Sequence, residues 1–149
     1  MCGLIFTLNF NKKQVTRSRL ATSLKTILHR GPNHSDINIY SDVGMAHCRL
    51  SILDLSSRAN QPFESFNQRY TIIYNGEVYN YKEIKKNLIN KGIPFRSNSD
   101  TEVILNAFIY WGTKFVKMLN GMFSFVIYDK KERKVFIARD RFGIKPLYY

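Results

Sequence analysis

Strand-like and helix-like runs are grouped along this chain rather than strictly alternating, and the grouping predicts an α+β fold over a doubly wound parallel sheet. Two further features support it. The last strand-like runs, 122–128 and 134–139, are joined by Tyr128-Asp129-Lys130-Lys131-Glu132-Arg133, a connection short enough for an antiparallel hairpin. The 149 residues are 44% hydrophobic and 14% aromatic, enough for one domain, 1–149, with its own core.

Each element has a local reason. Residues 3–8 read as a buried strand. Val15, Leu20, Ala21, Leu24, Ile27 and Leu28 recur at helical spacing, and Thr16 or Ser18 can cap that helix. It must stop at His29-Arg30-Gly31-Pro32, where Gly and Pro open a loop. Residues 44–53 and 70–74 are strand-like. Tyr81 to Lys91 reads as a helix closed by Gly92, with Ile84, Leu88 and Ile89 on one side. Ser99, with Glu102 three residues later, predicts a capping box for a helix running through Val103, Ile104, Ala107 and Phe108 to Trp111-Gly112. A short helix, 113–119, leads to Asn120-Gly121 and the final hairpin. No repeat, low-complexity segment or internal linker interrupts the chain.

Composition narrows the function. No apolar run is long enough to span a membrane, and Leu4-Ile5-Phe6 lacks the basic region and cleavage site of a signal peptide. Cys2 and Cys48 could form one bridge, but nothing else points to an oxidising compartment, so free thiols in the cytoplasm are expected. The formal charge of +12 raises the question of nucleic acid. The basic residues are scattered, none in a block of five, and the aromatics fall mostly in strand-like runs. A solvated basic surface is the better reading, and an acidic partner domain or chain is compatible with it.

Four places carry candidate chemistry. Cys2 follows Met1 directly, and a small penultimate side chain lets the initiator be removed. Thiol and α-amine would then share one residue, with an amine pKa of roughly 7.7–8.0 suited to a base near neutral pH. On position alone Cys2 would be only a small residue opening a strand. Asn75-Gly76-Glu77 follows the strand at 70–74 and reads either as a tight turn or as two donors converging on an oxyanion. Arg49 interrupts the apolar run Met45–Ile52, so it is expected to fork onto a carboxylate, of a ligand or of a protein partner. Asp100 at a helix N-terminus either complements the dipole or receives a ligand ammonium.

Taken together, and in order, the segments Met1-Cys2-Gly3-Leu4-Ile5, His29-Arg30-Gly31-Pro32-Asn33, Arg49-Leu50-Ser51-Ile52-Leu53-Asp54-Leu55, Gln61-Pro62, Tyr74-Asn75-Gly76-Glu77-Val78-Tyr79-Asn80, Ser99–Leu105, Leu119–Phe123 and Arg139–Tyr149 carry a resemblance. The chain resembles the class II glutamine amidotransferase domain of glutamine-hydrolysing asparagine synthetases. The resemblance implies an N-terminal-nucleophile hydrolase fold, a four-layer αββα sandwich of two antiparallel sheets that continues beyond residue 149. It implies Cys2 as nucleophile with its own α-amine as base, and Asn75 and Gly76 as oxyanion donors. It further implies Arg49 on the α-carboxylate of L-glutamine, Glu77 and Asp100 on the α-ammonium, and Leu50 and Ile52 as pocket walls.

No metal or cofactor is implied for this chain. ATP and magnesium belong to a synthetase domain or companion chain, and a homodimeric full-length protein is among the assemblies the resemblance allows. Thr7, Asn33 and His47-Cys48 depart from the family pattern without removing a catalytic group. A truncated, catalytically idle basic module acting through a partner is the alternative.

Overall fold

Seven strands form two antiparallel sheets with helices on their outer faces. The computed structural model describes residues 1–149. In chain order the elements are β1 (Gly3–Leu8), α1 (Arg17–Ile27), β2 (His34–Tyr40), β3 (Val43–Arg49), β4 (Phe63–Glu64), β5 (Tyr70–Val78), α2 (Tyr81–Ile89), α3 (Asp100–Trp111), β6 (Gly121–Asp129) and β7 (Lys134–Arg139). Short 3-10 turns lie at Leu28–Arg30, Ser57–Ala59 and Gly112–Met118. One sheet has the order β1-β3-β2, the other β4-β5-β6-β7.

Three apolar layers follow from the strand period of two. On β3, Ala46 and Cys48 face α1 and pack with Val15, Leu20 and Leu24. The alternate residues Val43 and Met45 face the second sheet, where they meet Ile73, Val126 and Tyr128. On the far side of that sheet Ile72, Tyr74, Phe123, Phe125 and Ile127 pack with Ile84 and Leu88 of α2 and Val103 and Ile104 of α3. The order helix, sheet, sheet, helix is the αββα sandwich. Central strands buried on both faces read as unbroken apolar runs, and β3 is buried along its whole length.

Several expectations need correction. β1 is only half-buried beyond Gly3, because it forms an edge of its sheet. Thr16 takes the N-cap position of α1 without a side-chain hydrogen bond, and Ser18 lies inside the helix. The strand expected over 44–53 ends at Arg49, and 50–53 is a loop that leaves Ile52 65% exposed. β2 and β4 are strands beyond those the sequence pattern predicts.

The capping box forms only in half. Ser99 Oγ accepts from Glu102 N–H at 3.4 Å, whereas the Glu102 carboxylate turns away to accept from Ser97 N–H at 2.7 Å and Arg96 N–H at 3.0 Å. The largest difference is at Asn75-Gly76. β5 runs on through both to Val78, with Asn75 opposite Ser124 and Gly76 opposite Phe123, so the pair is no turn.

Candidate active site

β1 and β3 bring Cys2 and Arg49 together from one sheet, β5 brings Asn75, Gly76 and Glu77 from the other, and α3 adds Asp100 from its first residue. All six line one pocket, together with Leu50 and Ile52 from the loop after β3. All eight residues singled out from the sequence therefore share one cleft, at the end of the sandwich where the two sheets and the α3 N-terminus meet.

Cys2 is held from two sides. Its Sγ accepts from Leu50 N–H at 3.4 Å, and its carbonyl accepts from Arg30 Nε at 3.1 Å. Burial pushes the thiol pKa up, while the Leu50 N–H, the N-terminal charge and Arg49 pull it down and Asp100 adds to the rise. Cys48 is a separate, free thiol packed toward α1, with Sγ donating to Ile27 O at 3.2 Å.

Of the two carboxylates open to Arg49, the one within this chain is not found. Arg49 forks onto no protein carboxylate: its guanidinium donates to Ser56 O at 2.9 Å, to Asn60 Oδ1 at 2.8 Å and to Asp54 O. Three acceptors from the 54–60 loop thus fix its orientation, and 6% of the residue is exposed. Asp54 extends the brace, accepting from Ser56 Oγ at 2.6 Å, Asn98 N–H at 2.7 Å and Ser56 N–H at 2.9 Å. The Ser56 hydroxyl and the Asn98 N–H hold its carboxyl down at about 2. The loop that positions Arg49 is thereby tied to the segment entering α3.

Asp100 is 5% exposed, and its Oδ2 accepts from Tyr74 OH at 2.6 Å and Val78 N–H at 3.1 Å. Burial nonetheless raises its pKa above the ordinary range, against the lowering by those two donors. The Asn75 amide and the Glu77 carboxylate also line the pocket. Around one thiol the site therefore offers the braced Arg49 cation, the Asp100 and Glu77 carboxyl groups and the Asn75 amide, with Lys145, Asp54 and Gln61 also in its lining. Such a set matches a small zwitterion bearing a carbonyl. No three His, Cys, Asp or Glu side chains gather as a metal-binding group.

Tyr74, Asp54, Gln61 and Lys145 also shape this site and carried no role in the sequence reading. Gln61 Oε1 accepts from Tyr74 N–H at 2.6 Å, and its Nε2 donates to Thr101 Oγ1 at 3.2 Å, joining β5 to α3. Only the segments quoted for the resemblance contained a hint of them.

The profile described as "Glutamine amidotransferase domain" matches residues 1–149. Asparagine synthetase [glutamine-hydrolyzing] 2 of Bacillus subtilis (strain 168) is 43% identical over 152 residues, covering 100% of this chain and 20% of that protein. Asparagine synthetase [glutamine-hydrolyzing] 3 of Arabidopsis thaliana is 40% identical over 149 residues, covering 99% of this chain and 25% of that protein. The chain thus spans a quarter or less of the length of these two relatives. Among solved structures, the glutamine phosphoribosylpyrophosphate amidotransferase from B. subtilis superposes with a TM-score of 0.82 at 20% identity, covering 97% of this chain and 38% of that one. That likeness shows the fold, a sandwich of two antiparallel sheets between helices. Through the profile match over its whole length, the chain belongs to the glutamine amidotransferase domain family, of the class II kind carried by glutamine-hydrolysing asparagine synthetases.

Proposed function

We propose that this chain is the glutaminase unit of an asparagine synthetase-like enzyme, with Met1 removed and Cys2 as its nucleophile. The thiol proton passes to the α-amine of Cys2 as Sγ attacks the side-chain amide carbon of L-glutamine. The oxyanion that forms is held by the Asn75 amide and the Gly76 N–H. Collapse breaks the carbon–nitrogen bond, the amine's proton leaves with ammonia, and water then hydrolyses the thioester to glutamate. Arg49 binds the α-carboxylate, Glu77 and Asp100 the α-ammonium, and Leu50 and Ile52 flank the ligand. Fixing both ends of the zwitterion sets the reach of its amide to the thiol, which disfavours the shorter asparagine.

The observation that carries this reading is the convergence of Cys2, Arg49, Asn75, Gly76, Glu77 and Asp100, far apart in sequence, on one pocket. The ammonia would serve an ATP- and magnesium-dependent amidation of aspartate, or a related acceptor, on a synthetase domain or companion chain. Free thiols at Cys2 and Cys48 support a cytoplasmic setting. No helix is long and apolar enough to cross a membrane.

The test is the mass of the N-terminus combined with labelling by a diazoketone analogue of glutamine. Loss of Met1, a single label on Cys2, and no label or glutaminase activity in Cys2→Ala are expected. Retained Met1 in active protein, or undiminished labelling at Cys48, would overturn the assignment.

A further inference from the structure

Lys145 is 4% exposed and lines the same pocket as Cys2. None of the molecule's six ion pairs includes it. The one hydrogen bond of its ammonium runs to the thioether of Met1, 2.7 Å from Nζ to Sδ. A thioether is a weak acceptor, and a buried cation with no stronger partner is a costly arrangement.

The backbone of Lys145 is firmly placed. Asp140, 6% exposed, accepts from Ile144 N–H at 2.9 Å, Lys145 N–H at 3.0 Å and Phe123 N–H at 3.2 Å. Arg139 donates through Nε to Lys145 O at 2.6 Å and also to Gly143 O. Gly143 turns the chain at φ +66°, a left-handed conformation that favours glycine. The segment after β7 is therefore built to aim an ammonium at the first residue of the chain.

Met1 is the residue whose removal the nucleophile requires. Once it leaves, the Lys145 ammonium loses that acceptor while still lining the pocket that holds Cys2. Resting on the reading of Cys2 as a processed nucleophile, we propose that Lys145 is a positioning residue that keeps the freed α-amine of Cys2 neutral, and so able to take the thiol proton.

The physical reason is like-charge repulsion. A fixed cation disfavours a protonated amine and favours a thiolate. A free α-amine titrating at roughly 7.7–8.0 is mostly protonated at pH 7, so lowering its midpoint by about one pH unit makes about half of it an available base. Other charges face the same group from every side. Arg49 at the end of β3 and Arg30, donating to Cys2 O, act in the same sense as Lys145. Arg139 at the end of β7, which lines the neighbouring pocket beside Cys2, adds to that sense, while Asp100 from α3, Glu77 from β5 and Asp54 from the loop after β3 act against it. Lys145 differs from all of these in being hydrogen-bonded to the residue that processing removes.

The test uses the full-length protein, its mature N-terminus verified by mass. The alkylation rate of Cys2 by iodoacetamide, a small neutral reagent that needs no glutamine pocket, is followed against pH for wild type, Lys145→Met and Lys145→Arg. The apparent midpoint reports the coupled thiol and amine. Lys145→Met should raise it by about one pH unit, and Lys145→Arg should leave it near wild type, with glutaminase activity at pH 7 following the same order. Coincident curves for wild type and Lys145→Met would overturn the assignment. So would equal displacement in both variants, which would mark a purely structural role. A wild-type Cys2 that labels no faster than Cys48 would instead overturn the nucleophile reading itself.

Discussion

Arg49 and Asp100 both carry charge into the pocket, but they are embedded differently, and mutation should separate them. Arg49 satisfies two loop carbonyls and the Asn60 amide oxygen. Arg49→Ala strands those acceptors, at about 1–3 kcal/mol for each one left buried, so stability and glutamine turnover should fall together. Asp100→Asn keeps an oxygen for Tyr74 OH and Val78 N–H and removes only the charge. Loss of a desolvated charged contact costs on the order of 2–5 kcal/mol, which predicts a rise in KM for glutamine of roughly 30-fold or more with little change in Tm. Steady-state kinetics beside thermal melts check both. A stable Arg49→Ala, or an Asp100→Asn that melts early with its remaining folded fraction fully active, would contradict the division. Arg49 was legible because a guanidinium inside an apolar run has to have a purpose. Its loop acceptors were not legible, since backbone carbonyls leave no mark on composition. Lys145 was hidden for a related reason: nothing in Ile144-Lys145-Pro146 tells a buried ammonium from a solvated one.

At the level of elements, local turn preference lost to strand pairing. Asn-Gly favours a tight turn, yet β5 carries that pair in register with β6 over all nine residues from Tyr70 to Val78. Extended pairing also explains why Gly76 has no side chain. A Cβ there would meet the Phe123 Cα at 2.7 Å, the Tyr74 ring at 2.9 Å and the Met122 carbonyl. Gly76→Ala should therefore push β5 from β6 and displace the neighbouring Asn75 amide. The expected outcome is a loss of about 1–3 kcal/mol in stability and at least a tenfold drop in kcat, read from denaturant unfolding and turnover. Wild-type kcat in this variant would show that the strand position does not set the oxyanion donors. β2 escaped notice because His34–Tyr40 is mostly polar and half-exposed, with only Ile37 buried. It pairs with β3 along its length, and that pairing is a long-range fact. The helices were read more easily: α2 buries Ile84 and Leu88 on one side and stops shortly before Gly92, while α3, buried all round over Asp100–Ala107, is capped by Gly112, both glycines having positive φ.

Across the whole molecule, acid stability should turn on the layer between the two sheets. His47 projects from β3 into that layer, is fully buried, and lies with Nε2 2.9 Å from Tyr74 O. That acceptor assigns the ring proton to Nε2 and leaves Nδ1 without a partner. Protonation would place a second N–H and a charge where nothing accepts either. Burial, with the nearby charge of Arg49, accordingly lowers its pKa to about 4 against the 6.5 of a free histidine, although the Tyr74 carbonyl pulls the other way. Between those values the unfolded chain binds a proton that the folded one refuses, so stability is full above about pH 6.5 and declines as pH falls toward 4. The loss is on the order of 3 kcal/mol. Asp54 and Asp129, held near 2, lose their contributions only below that window. Asp100, raised by burial, acts with the opposite sign, since its protonation at low pH relieves a buried charge. His47→Gln retains a donor for Tyr74 O and cannot titrate. Urea unfolding at pH 7, 5.5 and 4.5 should show wild-type stability falling across the series and His47→Gln holding nearly level. Parallel decline of the two would move the acid sensitivity out of the inter-sheet layer and onto the carboxylates at its edges.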